Sequence, residues 1–395
     1  MKRFPTVLLP VLLLFSCGGD VPRTIDREIL FSLEIGKGPE QFDLLQVQTA
    51  RHFRNRIASR DGRIFLSNGQ ASRIMEFTGF GDMLWTAYDP ALNPESMLPA
   101  QGGSQGATRT SLARTFEHIG EIAVGAGRTL LVEEQMEGEG IWDDDFGVRL
   151  RSRVLRFTGG VFQDVLGQEG LGGTRFPRIE RMDVRPNGDM VIVSRVQDGR
   201  VVFWYDAAGA LVYEVRIGND RLPVPDRERL LPVLESIIPD PVHDVLHLKL
   251  DYYEHTGSEL GGRDISDVFS MVFRLDLETG MYRDPVEIPS LVTVARNFPA
   301  FEDEEVQHLY RLVGIGPDGH LFLTARTDSA EHVLLILDPD GSVAARRRID
   351  IEDETVTEKH LSVSPEGILV GLLGRRERVD VVWWRTDRLI GRSAL

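Results

Sequence analysis

Three consecutive carboxylates, Asp143, Asp144 and Asp145, stand between Trp142 and Phe146, with Glu137 and Glu139 just upstream. Clustered oxygen ligands of this kind suit Ca²⁺, but the alternating acidic spacing and central glycine of a calcium loop are missing. An exposed acidic turn is the plainer reading. His243 and His247 are four residues apart in a segment with strand character, which turns both to one face, and Asp244 and His255 lie nearby. Zinc needs a closed set of converging ligands, and these are loosely spaced for that task. The glycine-rich run from Gly167 to Gly173 lacks the following Lys-Ser/Thr and the helix of a phosphate loop, so it reads as a turn between sheets. No His-Glu-x-x-His helix occurs anywhere. The candidates for a metal are therefore Asp143, Asp144, Asp145, His243 and His247, and no catalytic residue is assigned.

The chemistry with the clearest pattern is at the N-terminus. Lys2 and Arg3 precede an apolar run from Phe4 to Phe15, and Leu14-Phe15-Ser16-Cys17 ends it at the one cysteine of the chain. That cysteine has no partner for an internal disulfide. The run is too short to cross a bilayer and contains Pro5 and Pro10. It resembles the export signal of bacterial lipoproteins, with a small residue directly before the modified cysteine. The resemblance implies a signal peptide over residues 1–16, a diacylglyceryl and acyl chain such as palmitate on Cys17, a tether over 17–26 and a folded domain over 27–395. Gly18 and Gly19 stand where many inner-membrane lipoproteins carry a retention aspartate, so the outer membrane is implied.

Composition limits the partners. The 395 residues carry a formal charge of −16, more negative still once Lys2 and Arg3 are removed. Nucleic-acid binding needs a basic stripe that displaces counterions, and this balance argues against it. Hydrophobic residues at 42% supply a large core. A monomer is expected, with no cofactor beyond the lipid and, at most, a divalent ion.

A repeated pattern organises the rest: an apolar strand, a turn with glycine after an acidic or amide residue, and a second apolar strand. The clearest copies are Ile57 to Leu66, Met182 to Val193, Leu312 to Leu323 and Leu361 to Val370, with looser copies at Ile122 to Val132 and Ile237 to Leu248. Each is followed by an alternating strand, such as Arg73 to Phe77 or Val381 to Arg385, and several by a fourth. Four strands per unit and about six units predict an all-β, six-bladed β-propeller. The last unit has three strands only, and Arg27 to Ile35 is an orphan strand before the first. Pairing that N-terminal strand with the last blade would close the ring and remove two open edges. A short apolar-periodic helical turn is expected within Asp226 to Ile238.

The stretch Ile35-Gly36-Lys37-Gly38-Pro39-Glu40-Gln41-Phe42, with the first hairpin and Arg73-Ile74-Met75-Glu76-Phe77, resembles the NHL repeat. A looser copy joins Ser152 to Phe157 with the loop from Leu166 to Pro177. The resemblance implies a six-bladed, NHL-like propeller lipoprotein of the bacterial envelope or periplasm, a fold with a binding habit more than a chemistry. Extra segments at Ala91 to Thr110, Glu133 to Val148, Asn219 to Arg229, Asp251 to Asp267 and Ser290 to Gln307 would shape a binding surface if they gather on one side. Trp383 and Trp384 point to opposite faces of one strand, and Arg346-Arg347-Arg348 is a basic run suited to an anionic glycan or lipid headgroup.

The expected function is a lipid-anchored binding or scaffolding module for a protein or glycan. One alternative is a metal-dependent hydrolase or lyase with its site in the central channel. Another is a scaffold in outer-membrane protein assembly.

Overall fold

The computed structural model describes residues 23–44, 53–101, 108–138, 140–167, 175–226, 230–257, 263–297, 302–352 and 354–390. Residues 1–22, Cys17 among them, and Glu139 lie outside the described residues.

Turn chemistry sets the local structure. Asp61 and Gly62 adopt φ of 53° and 69°, the left-handed pair that lets Asn55–Arg60 reverse directly into Arg63–Asn68. Comparable hairpins build six antiparallel blades in succession. Their first strands are Asn55–Arg60, His118–Val124, Arg178–Val184, Leu230–Pro239, Arg311–Ile315 and Glu358–Val363. These first strands meet one another around a central channel, so later strands lie progressively farther out.

Closure follows the sequence expectation. Glu28–Glu34 pairs antiparallel with Arg378–Trp384 as the outer strand of the sixth blade. Trp383 Nε1 donates to Glu28 Oε2 at 2.8 Å, and Ser32 Oγ donates to Asp380 Oδ1 at 2.6 Å. One addition was not expected: Thr24–Ile25 runs parallel to Val343–Ile349, so the same N-terminal strap also edges the fifth blade. Thr110–Ala113 extends the first blade in the same parallel manner beside Met83–Tyr88.

The core divides into six clusters, one at each boundary between neighbouring blades. Leu33, Ile57, Leu66, Val370 and Val381 share the cluster that joins the last blade to the first, which makes the ring continuous. Middle strands are apolar on both sides because each is covered by two neighbours, as Val191, Ile192 and Val193 show.

Strand order gives the disc two distinct sides. First-to-second and third-to-fourth hairpins share one, the hairpin face. Second-to-third connections and blade-to-blade crossings share the other. All five extra segments belong to this second class: 91–110 joins blades 1 and 2, 133–148 lies between Thr129–Gln135 and Ser152–Thr158, and 219–229 joins blades 3 and 4. Segment 251–267 belongs to the hairpin of Val245–Gly257 with Arg263–Asp276, and 290–307 joins blades 4 and 5. They therefore leave from one insertion face. Two contain hairpins of their own, Ile141–Asp143 with Val148–Leu150 and Leu291–Asn297 with Glu302–His308.

The helical turn expected within Asp226 to Ile238 is corrected: Leu230–Pro239 is a strand paired with Val245–Gly257. Its apolar spacing fits a helix, but Pro232 and the long cross-strand partner favour the extended form.

Candidate functional site

The loop from Ile35 to Phe42 is held from inside. Gln41 folds back so that its Oε1 accepts from Gly38 N at 2.9 Å, over a space at Gly36 that a Cβ would overfill. Phe42 is wholly buried between the last and first blades. Arg73 donates to the carbonyls of Gly38 at 2.7 Å, Pro39 at 3.1 Å and Gln41. Burial pushes its guanidinium down to about 10, against the pull of Asp43. This arginine therefore clamps the loop to the first blade and positions the strap beside it.

A dense polar cluster lines the channel. A period of two in the first strands turns alternate residues to the axis. Arg56 grips Glu121 through Nε at 2.7 Å and Nη2 at 2.6 Å. Arg54 Nη1 reaches Glu121 at 2.9 Å, Ile179 O at 2.9 Å and Glu133 at 3.5 Å, so one side chain links blades 1, 2 and 3. Arg181 pairs with Asp183 through Nε at 2.7 Å and Nη2 at 2.8 Å, while its Nη1 donates to Val313 O at 3.1 Å. Asn55 Nδ2 donates to Glu358 at 2.8 Å.

Electrostatics separates these groups. Burial pushes Glu121 up, but the hydrogen bonds and charge of Arg56, with Arg54 behind, outweigh it and leave the carboxyl below its ordinary range. Burial raises Glu133, Asp183 and Glu358 despite their partners. The His360 imidazole is pushed down to about 3, first by burial and then by Arg56. It is neutral at physiological pH. Its Nδ1 accepts from Ile57 N at 3.2 Å, which leaves Nε2 as the protonated nitrogen.

A cavity of about 310 Å³ occupies the channel beyond this network. Its wall comes from the later halves of all six first strands, including Ile57, Val124, Val184, Ile238, Ile315 and Val363. Pro186, Pro241, Pro317 and Pro365 surround it at the hairpin face. The braces of Arg54 and Asn55 belong to the strand starts and face the insertion side. The result is a well lined by both apolar and polar groups, with the charged network at its floor.

The sequence candidates are placed elsewhere. Asp143 Oδ1 accepts from Phe146 N at 2.9 Å and Asp144 Oδ1 from Trp142 Nε1 at 2.8 Å, so two of the acids stabilise their own hairpin turn. Asp145 contributes its carbonyl to Arg216, whose guanidinium lies over the Phe146 ring. His243 and His247 do converge, but on one carboxylate: His243 Nδ1 is 3.2 Å from Asp240 Oδ1 and His247 Nε2 is 3.1 Å from Oδ2. Burial raises the Asp240 carboxyl, yet the bond from His247 and the backbone N–H groups of His243 and Val242 hold it far below the usual range. Among the described residues no cluster of three His, Cys, Asp or Glu is arranged as a metal site. The side chain of His255 lies outside the described residues, as do residues 168–174. Trp384 is buried, and Trp383 is engaged by Glu28 and Arg385.

Sequence reasoning missed Arg54, Arg56, Glu121, Arg181, Asp183 and His360 as one cluster. The available signal was charge at every second position of strands that otherwise read as apolar, as in Arg181-Met182-Asp183.

No protein-family model matches this sequence, and neither does any curated protein. Among solved structures the chain is similar to the hydrazine synthase of Kuenenia stuttgartiensis, with a TM-score of 0.39 and 10% identity over 84% of this chain and 95% of that one. A protein described as a putative gluconolactonase gives a TM-score of 0.37 and 13% identity, covering 92% of this chain and 93% of its own. The β-propeller domain of the trilobed protease from Pyrococcus furiosus gives 0.37 and 10%, covering 84% and 83%. The chain is a six-bladed β-propeller.

Proposed function

We propose that this chain is a lipid-anchored, NHL-like propeller of a bacterial envelope, attached to the outer membrane through Cys17, that binds a protein or glycan partner on its insertion face. The observation that carries the binding reading is that all five extra segments leave from that one side. A rigid disc with elaborated loops on a single face suits recognition without chemistry. The anchor reading rests on the charged, apolar and small-residue order of Lys2 to Cys17. Catalysis in the channel has less support, because Glu121, Asp183 and Glu358 are each already engaged by arginine or asparagine.

Photocrosslinking residues at Met97 and Trp142, both exposed on insertion-face segments, test the partner face against Phe80 on the hairpin face. Capture of one discrete partner from the first two positions and not from Phe80 supports the reading. Capture from Phe80 alone, or none from living cells at any position, would count against it. For the anchor, Cys17→Ala should accumulate unprocessed precursor without lipid, read by mass spectrometry. Normal processing of that variant would remove the lipoprotein reading.

A further inference from the structure

We propose that the well on the channel axis binds a small organic acid, its carboxylate toward the wall made by blades 6 and 1 and its apolar body against blades 2, 3 and 5. The well lies toward the hairpin face, opposite the insertion segments, so the inference stands apart from both the anchor and the partner reading. Its volume of about 310 Å³ is at the lower end of pockets that take drug-sized molecules. The wall is uneven. Val124, Val184 and Ile315 end the first strands of blades 2, 3 and 5, and each lines the well half-buried. Blades 6 and 1 line it with polar groups instead. His360 accepts from Ile57 N through Nδ1, and its Nε2–H has no acceptor among the described residues. Ser362 follows His360 by two positions, and Ser59 follows Ile57 by two, so each shares a face with its predecessor. Neither hydroxyl has a hydrogen-bond partner among the described residues, and both serines line the well.

Charge selects the ligand. Arg60, Arg181 and Arg185 line the well together with Glu121, Asp183 and Asp318. Most of these charges are already spent on one another or on groups behind the wall. Both oxygens of Glu121 accept from arginine, as do both of Asp183. Arg185 binds Asp189 at 2.9 Å, Asp244 at 3.0 Å and the Asp240 carbonyl at 3.0 Å. Asp318 is exposed in its hairpin turn beyond the strand end, where water screens it. Arg60 is different. It is buried, yet its Nη1 reaches only Val124 O, at 3.5 Å, and its Nε lies 3.9 Å from the exposed carboxylate of Asp61. The uncommitted groups of the well are thus one guanidinium, one imidazole N–H and two hydroxyls, all of them able to donate. Buried donors without acceptors are costly, and a carboxylate supplies acceptors and the missing counter-charge together.

The test titrates phenylbutanoate and its uncharged match, phenylbutanamide, into the purified full-length protein by isothermal calorimetry. The acid should bind one to one and about 10-fold tighter than the amide, the difference between a charge-assisted and a neutral hydrogen bond. Arg60→Met should bring the acid down to the affinity of the amide, whereas Arg60→Lys should keep most of the preference. Val124→Phe should fill the well and block the acid, with a melting curve to check that the variant is folded. No saturable binding of the acid, or equal affinities for acid and amide in the unaltered protein, would overturn the proposal. So would undiminished binding of the acid by folded Val124→Phe. None of these results alters the capture expected at Met97 and Trp142, so the insertion-face reading stands or falls by its own experiment.

Discussion

Arg181 of the third blade donates to the Val313 carbonyl of the fifth at 3.1 Å, so one guanidinium crosses the channel past the blade between them. The same side chain neutralises Asp183. Arg181→Met should remove the crossing bond and leave that carboxylate alone in the channel, at a cost of roughly 1 to 3 kcal/mol. Urea unfolding at neutral pH measures it. Arg181→Met with Asp183→Asn should cost less than the single change; equal losses would show that the stranded charge is not the cause.

Glu121 supports a different span, from Arg56 and Arg54 of the first blade to the second. Its carboxyl lies below its ordinary value of 4.5, so its contribution to stability is complete above that pH and declines as pH falls through the folded value. Glu121→Gln leaves two buried cations short of a counter-charge and should cost about 3 kcal/mol at neutral pH. The difference from the unaltered protein should narrow in acid. A constant gap across the acid range would contradict this assignment.

His360 works in the opposite range. Its folded value of about 3 lies far below the ordinary 6.5, so the unfolded chain takes up a proton that the folded channel refuses. Stability should fall as pH drops below about 6.5, by roughly 1 to 2 kcal/mol at pH 5. His360→Gln keeps an acceptor for Ile57 N and should flatten that slope. Parallel pH profiles for the two proteins would reject the account.

The strap gives the largest expected loss. Removing residues 24–35 exposes the outer edges of Arg378–Trp384 and Val343–Ile349 and opens the cluster around Leu33. Such free edges pair with other chains. Thermal melting should shift down by many degrees and size-exclusion should show oligomers. An unchanged melt and a monomeric peak would mean the ring does not need its closing strand.

Much of this architecture was readable in the residues. Asp61-Gly62 and Asp318-Gly319 marked hairpins because both residues of each pair take a positive φ, and Asn187-Gly188 because Gly188 does; the three-strand last unit pointed to the strand before Ile35. Thr24–Ile25 was not readable, since two residues carry no period and their partner is supplied by another blade. Leu230–Pro239 misled because Leu230, Leu234 and Ile237 repeat at helical spacing. The channel was half visible: Arg54 and Arg56 share a face by spacing, but Glu121 and Ile179 are brought to them, and Glu358 to Asn55, only by the ring of blades. The acids at Asp143 to Asp145 drew attention by density, yet their bonds stay within one turn.

Glu28 and Trp383 are hydrogen-bonded across 355 positions of sequence. A chain made from its N-terminal side must keep that first ribbon unmated until Trp383 has been made. Pairing over such separations is slow. The newborn protein therefore passes through a stage with every earlier blade available and its seam still open, and any chaperone that meets it would have that seam to guard.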